Sequence, residues 1–294
     1  MSDIAQRITD SIIKQLESGV APWVKPWKDN GQPTNAKTGE IYQGINYFWL
    51  SMLQGGEAGT SNYWLTYNQA KDMGAQVKKG AKGVQVIFYK QLAIGDKSEG
   101  QEGEGNQKVI PMLKTYTVFN ADFVEGLPAK IAEPLSCEPF VAIEKAQAFI
   151  DCMSATIKEG GGRAYYATEQ DFIALPTKET FKTNQDFYAT ALHELGHWTG
   201  NKNRLDRDFS KSKKFGDSAY ALEELVAELT CAMSCAYLGL DGQLQHAEYI
   251  GSWLKVLKSD PKAILTAGAQ AQKAFNFLQA LEAQAIAPAE QKAA

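Results

Sequence analysis

The chain has 294 residues, of which 44% are hydrophobic and 22% charged, with a net charge of −4. This length suits two domains, and this composition suits a globular protein rather than a disordered or fibrous one. The charge balance excludes a uniformly basic nucleic-acid binder, but residues 1–130 net +1 and residues 131–294 net −5, so the first half can still carry a local basic patch.

No apolar run is long enough to cross a bilayer. The opening residues 1–7 have neither the basic start nor the apolar stretch of a secretion signal. A cytoplasmic protein with no membrane partner is therefore expected. Cys137, Cys152, Cys231 and Cys235 form no CxxC pair and no disulfide framework; Cys231 and Cys235, four apart on an expected helix, read as buried, reduced thiols, with a structural metal as the alternative.

In chain order, Ile4, Ile8, Ile12, Ile13 and Leu16 recur at helical spacing and predict a helix over 3–18 that stops at Gly19. Pro22 and Pro26 then make 21–27 non-helical. Residues 45–53 fit either a helix or a strand, and 66–73 a short helix stopped by Gly74. Val84–Tyr89 and Tyr116–Phe119 are β-rich, and the Gly- and Glu-rich stretch Gly95–Gln107 between them reads as an exposed hairpin loop. Gly126–Pro139, with three prolines, reads as a linker. After it come a helix over 141–157, a strand over Arg163–Thr168, an extended piece Ile173–Pro176, and helices over about 185–199, 218–238, 243–258 and 260–284. The expected fold class is α+β. A small mixed α/β domain (1–130) is followed by a mostly helical domain (131–294).

The strongest chemical signal is His193-Glu194-Leu195-Gly196-His197. Residues i and i+4 of a helix sit one above the other, so the two imidazoles can bind one ion. Glu194 lies beside them and can take a proton from a water whose pKa the ion lowers, which is the chemistry of a metallopeptidase. Only three histidines occur in the chain, and two stand in this motif. A pair of ordinary helix-surface histidines is the bland alternative.

A third ligand is needed. Six residues after His197 stands Asn203, a poor zinc ligand. A following helix supplies Glu223-Glu224-Leu225-Val226-Ala227-Glu228 instead, with Glu224 and Glu228 on one face. By analogy with sites that add a glutamate from a second helix, Glu224 ligates and Glu228 orients an imidazole through its other N–H, although the two roles can be exchanged. Zinc is the first expectation and manganese the alternative, since two histidines and a carboxylate suit both. The strand before the motif helix can hold a peptide by edge pairing. Tyr165, Tyr166, Tyr220 and His246 are candidates to polarise a carbonyl, with packing as the ordinary role of each.

Four of the six tryptophans, Trp23, Trp27, Trp49 and Trp64, lie in the first half among Tyr42, Tyr47, Tyr63 and Tyr67. Between Lys71 and Lys90 five lysines face one acid, Asp72. Aromatic faces beside a basic track are how proteins hold single-stranded nucleic acid without sequence preference. Core tryptophans and a solvated lysine turn are the alternative.

Several stretches together carry a resemblance. They are APWVKPW at 21–27, Tyr42–Asn46, Trp64–Tyr67, Val77–Gly80, Val118–Asn120, His193–Gly200, Arg204-Leu205, Tyr220–Glu228, Tyr249-Ile250 and Trp253-Leu254. On these the whole chain resembles the ArdC-type antirestriction proteins of conjugative plasmids, and its first half is similar to a region these share with TraC-type plasmid primases. Asn201 departs from the pattern, since relatives often carry a histidine there. The resemblance implies an N-terminal domain that binds single-stranded DNA and a zincin-like C-terminal domain. It also implies protection of incoming plasmid DNA from host restriction.

The combined expectation is a protein that binds single-stranded DNA through Lys25, Trp27, Tyr47, Lys78, Lys79 and Lys82. It holds a divalent metal through His193, His197 and Glu224, with Glu194 as general base and Glu228 behind a histidine. Host restriction proteins, or others on the same DNA, are candidate partners. The alternative is a DNA-binding shield whose metal site is structural or vestigial, with no proteolysis.

Overall fold

The structure, a computed structural model, describes residues 2–17, 32–53, 58–94, 108–128, 131, 139–209, 219–240 and 247–287. The first half runs α1 (Ser2–Glu17), β1 (Thr34–Asn35), α2 (Ile45–Leu53), β2 (Tyr63–Thr66), α3 (Tyr67–Asp72), β3 (Gln76–Val77), β4 (Val84–Ile94), β5 (Lys108–Asn120) and β6 (Val124–Glu125). The second runs α4 (Pro139–Asp151), β7 (Thr156–Glu159), β8 (Tyr165–Ala167), β9 (Phe172–Leu175), α5 (Asn184–Trp198), α6 (Ala219–Leu238), α7 (Ala247–Ser259) and α8 (Ala263–Ile286). The architecture is mixed α+β in two parts, as expected.

In the first half β1, β2, β5 and β4 form one sheet in that order. α3 starts with a capping box. The Thr66 hydroxyl accepts from the Gln69 N–H, and the Gln69 side chain accepts from the Thr66 N–H. The chain leaves α3 through Gly74, whose φ of +72° suits a residue without Cβ.

β4 is an edge strand, and α2 covers part of its edge. The buried Asn46 side chain donates to the Ile87 carbonyl (2.6 Å) and accepts from the Ile87 N–H (2.8 Å), as a neighbouring strand would. Trp49 Nε1 donates to the Gln85 carbonyl at 3.1 Å. Two backbone acceptors and one donor that would template aggregation are thus paired.

The two parts share a core. Ile8, Ile12 and Leu16 of α1 and Ile45 and Phe48 of α2 pack with Leu222, Leu225, Val226 and Leu229 of α6, Trp253 and Leu257 of α7, and Ile264, Ala267 and Phe275 of α8. Polar ties reinforce the joint: Thr9 Oγ1 donates to the Pro261 carbonyl (2.6 Å), and the Gly44 N–H to Gln272 Oε1 (2.8 Å). A second cluster joins Phe149, Ile173, Leu175, Tyr188, Leu192 and Leu195 to Cys231, Cys235 and Leu238. α6 therefore has apolar neighbours on both sides, and it presents two buried glutamates between them.

Residues 45–53, open between helix and strand in the sequence, are helical. Elsewhere the structure differs from the sequence expectations. The helix expected over 141–157 ends at Asp151, because Thr156 and Ile157 pair in parallel with Phe172 and Ile173, and Ile157 packs on the second core. β4 and β5 run longer than the two β-rich stretches that announced them. The loop Gly95–Gln107, most of Gly126–Pro139, and Cys137 lie outside the described residues. Cys231 and Cys235 are buried, free and 3.8 Å apart at sulfur. No described helix is long and apolar enough to cross a membrane.

Asn46→Ala leaves the Ile87 N–H and C=O buried without their partner. It should cost about 1–3 kcal/mol, read as a lower urea midpoint at unchanged m-value.

Candidate metal centre

The HExxH helix, α5, begins where the Thr183 hydroxyl accepts from the Asp186 N–H at 3.1 Å, and it lies against α6. Gly196 makes that approach close. A Cβ there would stand 3.1 Å from Ala227 Cα and 3.2 Å from the Ala227 carbonyl oxygen. The two variable positions of the motif thus do structural work: Leu195 is buried in the second core, and Gly196 lets α6 in.

The consequence is that Glu224 reaches both histidines. His193 Nε2 lies 3.6 Å from one Glu224 oxygen, and His197 Nε2 lies 3.5 Å from the other. The imidazole rings are 4.9 Å apart and nearly perpendicular. Ligand atoms of His193, His197 and Glu224 all fall within 4.8 Å of one another. Donors about 2.0–2.1 Å from one tetrahedral ion stand about 3.4 Å apart, so the spacing fits a divalent ion with little adjustment.

Glutamates stand behind both imidazoles, in hydrogen-bond range at His197 and beyond it at His193. His193 Nδ1 lies 3.9 Å from Glu228, in ion-pair range, and His197 Nδ1 lies 3.3 Å from Glu223. Glu223 is in turn gripped by Arg207, whose Nε and guanidinium nitrogen donate to its two oxygens at 2.8 and 2.6 Å. Arg207 also donates to the Gly196 carbonyl (2.8 Å) and to the Thr199 hydroxyl (3.0 Å), placing a cation at the end of α5. Gly200 makes room for it, since a Cβ there would meet the guanidinium at 3.0 Å. Glu223 and Arg207 were missed in the sequence. The acidic doublet at 223–224 was visible, but nothing local to Arg207 points to it.

Charge and burial compete here. Burial disfavours an imidazolium at His197, yet the carboxylates of Glu223 and Glu224 outweigh it and raise the group from 6.5 to about 10. Burial also opposes the charge on Glu224, but His193 and His197 hold its carboxyl well below the usual range. At Glu223 burial is again outweighed, by Arg207 and then His197. These carboxylates attract positive charge, and a metal would take the proton's place.

The centre opens into a cavity of about 570 Å³. Its lining includes Glu194, which is buried at the metal end, and Tyr165 and Tyr220, which are exposed. β8 is the edge of the sheet β7-β9-β8 and borders this cavity. The Tyr166 hydroxyl is committed elsewhere: it donates to Asp171 (2.7 Å) and accepts from Asn201 (2.7 Å) and Arg204 (3.0 Å). Asn201, the departure noted above, thus ties the loop after α5 to the edge strand. His246 lies outside the described residues.

The expected DNA residues divide. Lys25 and Trp27 lie outside the described residues. Tyr47 is a correction: it is 4% exposed in the core shared with α6–α8, so its ring offers no face to a base. Lys78, Lys79 and Lys82 are exposed on the turn before β4, and Lys78 Nζ donates to the Asp122 carbonyl at 3.0 Å.

Two outcomes follow from this geometry. Arg207→Ala should leave Glu223 free to swing from His197 and weaken zinc or manganese affinity about 10- to 100-fold, measured by competition with a chelating dye. Without metal, the His197 contribution to stability is complete below pH 6.5 and is lost as pH rises toward about 10. The gap in Tm between metal-loaded and metal-stripped protein should therefore widen across that interval, since metal binding needs the deprotonated imidazole.

Comparison with known proteins agrees with both parts. A family model for the N-terminal domain of anti-restriction factor ArdC matches residues 2–119, and one for a zincin-like metallopeptidase matches residues 144–270. A metal-free crystal structure of the antirestriction ArdC protein from plasmid R388 is 41% identical, covers 96% of this chain and 98% of its own, and superposes with a TM-score of 0.80. A Mn(II)-bound structure of the same protein gives 39% identity and a TM-score of 0.78 at the same coverage. An Escherichia coli DNA primase TraC is 37% identical over 94% of this chain, but the chain spans only 20% of that primase. An uncharacterised protein of Sinorhizobium fredii is 36% identical over 97% of this chain and 94% of its own length. The chain belongs to the ArdC family of antirestriction proteins.

Proposed function

We propose that this protein binds single-stranded DNA without sequence preference through its first part, residues 1–130. In our reading the second part, residues 131–294, hydrolyses peptide bonds at a metal centre, and together they protect incoming plasmid DNA from host restriction. The observation that carries the reading is the buried set His193, His197 and Glu224, with Glu194 beside it, facing an open cavity bordered by an edge strand.

A divalent ion bound there supplies Lewis acidity and makes water a nucleophile near neutral pH. Glu194, buried at the cavity end, accepts the proton from that water and returns it to the leaving amine. In this reading Tyr220, 63% exposed on the cavity wall, donates to the carbonyl oxygen. The outer edge of β8 aligns the peptide by backbone hydrogen bonds. In this reading Glu223, 3.3 Å from His197 Nδ1, holds that imidazole in register, and Glu228, 3.9 Å from His193 Nδ1, closes to a hydrogen bond when the metal is bound. The Mn(II)-bound relative supports a divalent ion, and the zincin-like match supports zinc as the other candidate.

DNA binding is supported by the ArdC match over residues 2–119 and by the exposed lysine turn. Binding to DNA would concentrate the metal centre near proteins on the same strand, host restriction enzymes among them. Openness of the cavity favours a working centre over a purely structural one, since a structural zinc site is closed by four protein ligands.

Glu194→Gln separates hydrolysis from shielding. It should keep metal and oligonucleotide affinity while lowering metal-dependent cleavage of a DNA-bound protein about 10²- to 10⁴-fold, with protection of DNA from restriction falling alongside. Full protection by a metal-loaded Glu194→Gln protein would eliminate the peptidase reading. Reversing the charge of Lys79 and Lys82 together should weaken single-strand affinity and flatten its dependence on salt.

A further inference from the structure

A second cavity, of about 720 Å³, lies in the first part and is separate from the metal centre. Its volume falls in the range of about 300–1,000 Å³ usual for small-ligand clefts. It sits on a face of the sheet that changes character along its length. Val86 and Val118 are buried there against Trp64, Leu50 and Tyr42. Two residues further along β4 comes Phe88, and two residues back along β5 comes Tyr116, on the same face by strand alternation. Among the described residues they are only half covered: Phe88 is 44% exposed and Tyr116 45% exposed. Their rings stand edge to face, 5.4 Å apart. Tyr67, at the start of α3, is 50% exposed and forms another wall.

Exposed aromatic rings clustered on a strand surface cost free energy, which a ligand with a flat apolar face recovers. Among the described residues the lining contains no acid and one cation, Lys114, which pairs directly with Phe88 across the strands. Polar groups line the base of the cavity. Asn35 and Gln69 exchange amide hydrogen bonds at 3.4 Å, and Asn35 donates to the Tyr42 hydroxyl at 3.3 Å. Bonds of that length are weak and can be traded for bonds to the edge of a base.

The cavity also adjoins the basic turn. Gly83, at the end of that turn, packs so tightly that a Cβ would fall 2.3 Å from Thr117 Cγ2, and Thr117 lines the cavity.

We infer that this cavity captures an unstacked base of single-stranded DNA, with Tyr67, Phe88 and Tyr116 as stacking faces and Lys114 on the adjoining phosphate. This rests on the single-strand reading proposed above, and it gives a place to a stacking role that Tyr47, buried as it is, cannot fill.

The test uses the full chain and a fluorescent oligothymidine. Phe88→Ala and Tyr116→Ala should each weaken binding about 5-fold or more without changing the salt dependence, because no phosphate contact is lost. Phe88→Tyr should restore affinity, which a merely structural role of the position would not require. An oligonucleotide carrying 5-iodouracil should give light-induced adducts on Tyr67, Phe88 or Tyr116, located by mass spectrometry, whether or not the variants fold. Wild-type affinity in both alanine variants, with adducts elsewhere, would overturn the cavity's role and leave single-strand binding standing; the cavity would then serve another ligand, such as an aromatic side chain of a peptide. No binding by the wild-type chain even at low salt would overturn both.

Discussion

Two helices touch at Gly196 and Ala227, and much of the metal centre depends on that contact. A side chain at 196 would press on the Ala227 backbone. With none there, the turn of α5 that carries His193 and His197 meets the turn of α6 that carries Glu224. The three ligands lie within 31 residues of one another in sequence, yet no local rule places the third beside the first two. Helix packing does so, and packing here is set by the smallest residues at the crossing.

Such a crossing would be expensive if it only buried charge. Glu194, Glu224 and Glu228 are all 6% exposed or less, and buried carboxylates are tolerated only when paired or bound to metal. Arg207 balances the neighbouring Glu223, so that carboxylate adds no net charge to the three. The imidazoles answer part of the rest, which is why His197 holds its proton so firmly in the absence of metal. A divalent ion offers the same carboxylates a stronger partner. The surrounding core is built to resist collapse of the cluster, since α6 is packed by apolar residues from both parts of the chain.

The features legible in the sequence were those written at helical spacing. The pair His193 and His197 with Glu194, and Glu224 with Glu228, could be read because i and i+4 share a face whatever the rest of the fold does. The harder features depend on contacts between distant segments. Thr156 and Ile157 read as the end of a helix because their strand character comes from pairing with Phe172 and Ile173. Tyr47 looked like a DNA contact because composition shows aromatic residues but not which core they join. Phe88 and Tyr116 escape the sequence for the converse reason: alternation assigns them a face, and only the structure shows both rings about half exposed there. Arg207 acts through Glu223 across a loop, and no periodicity reports on that.

The central claim is that one divalent ion sits between α5 and α6 with a position left open toward the cavity. Anomalous diffraction from crystals loaded with zinc or manganese tests it most directly. The account predicts one site per chain, about 2.0–2.2 Å from His193, His197 and Glu224, with solvent completing the coordination on the cavity side. An ion bound elsewhere, or one whose remaining position is closed by Glu228 or another side chain, would contradict it.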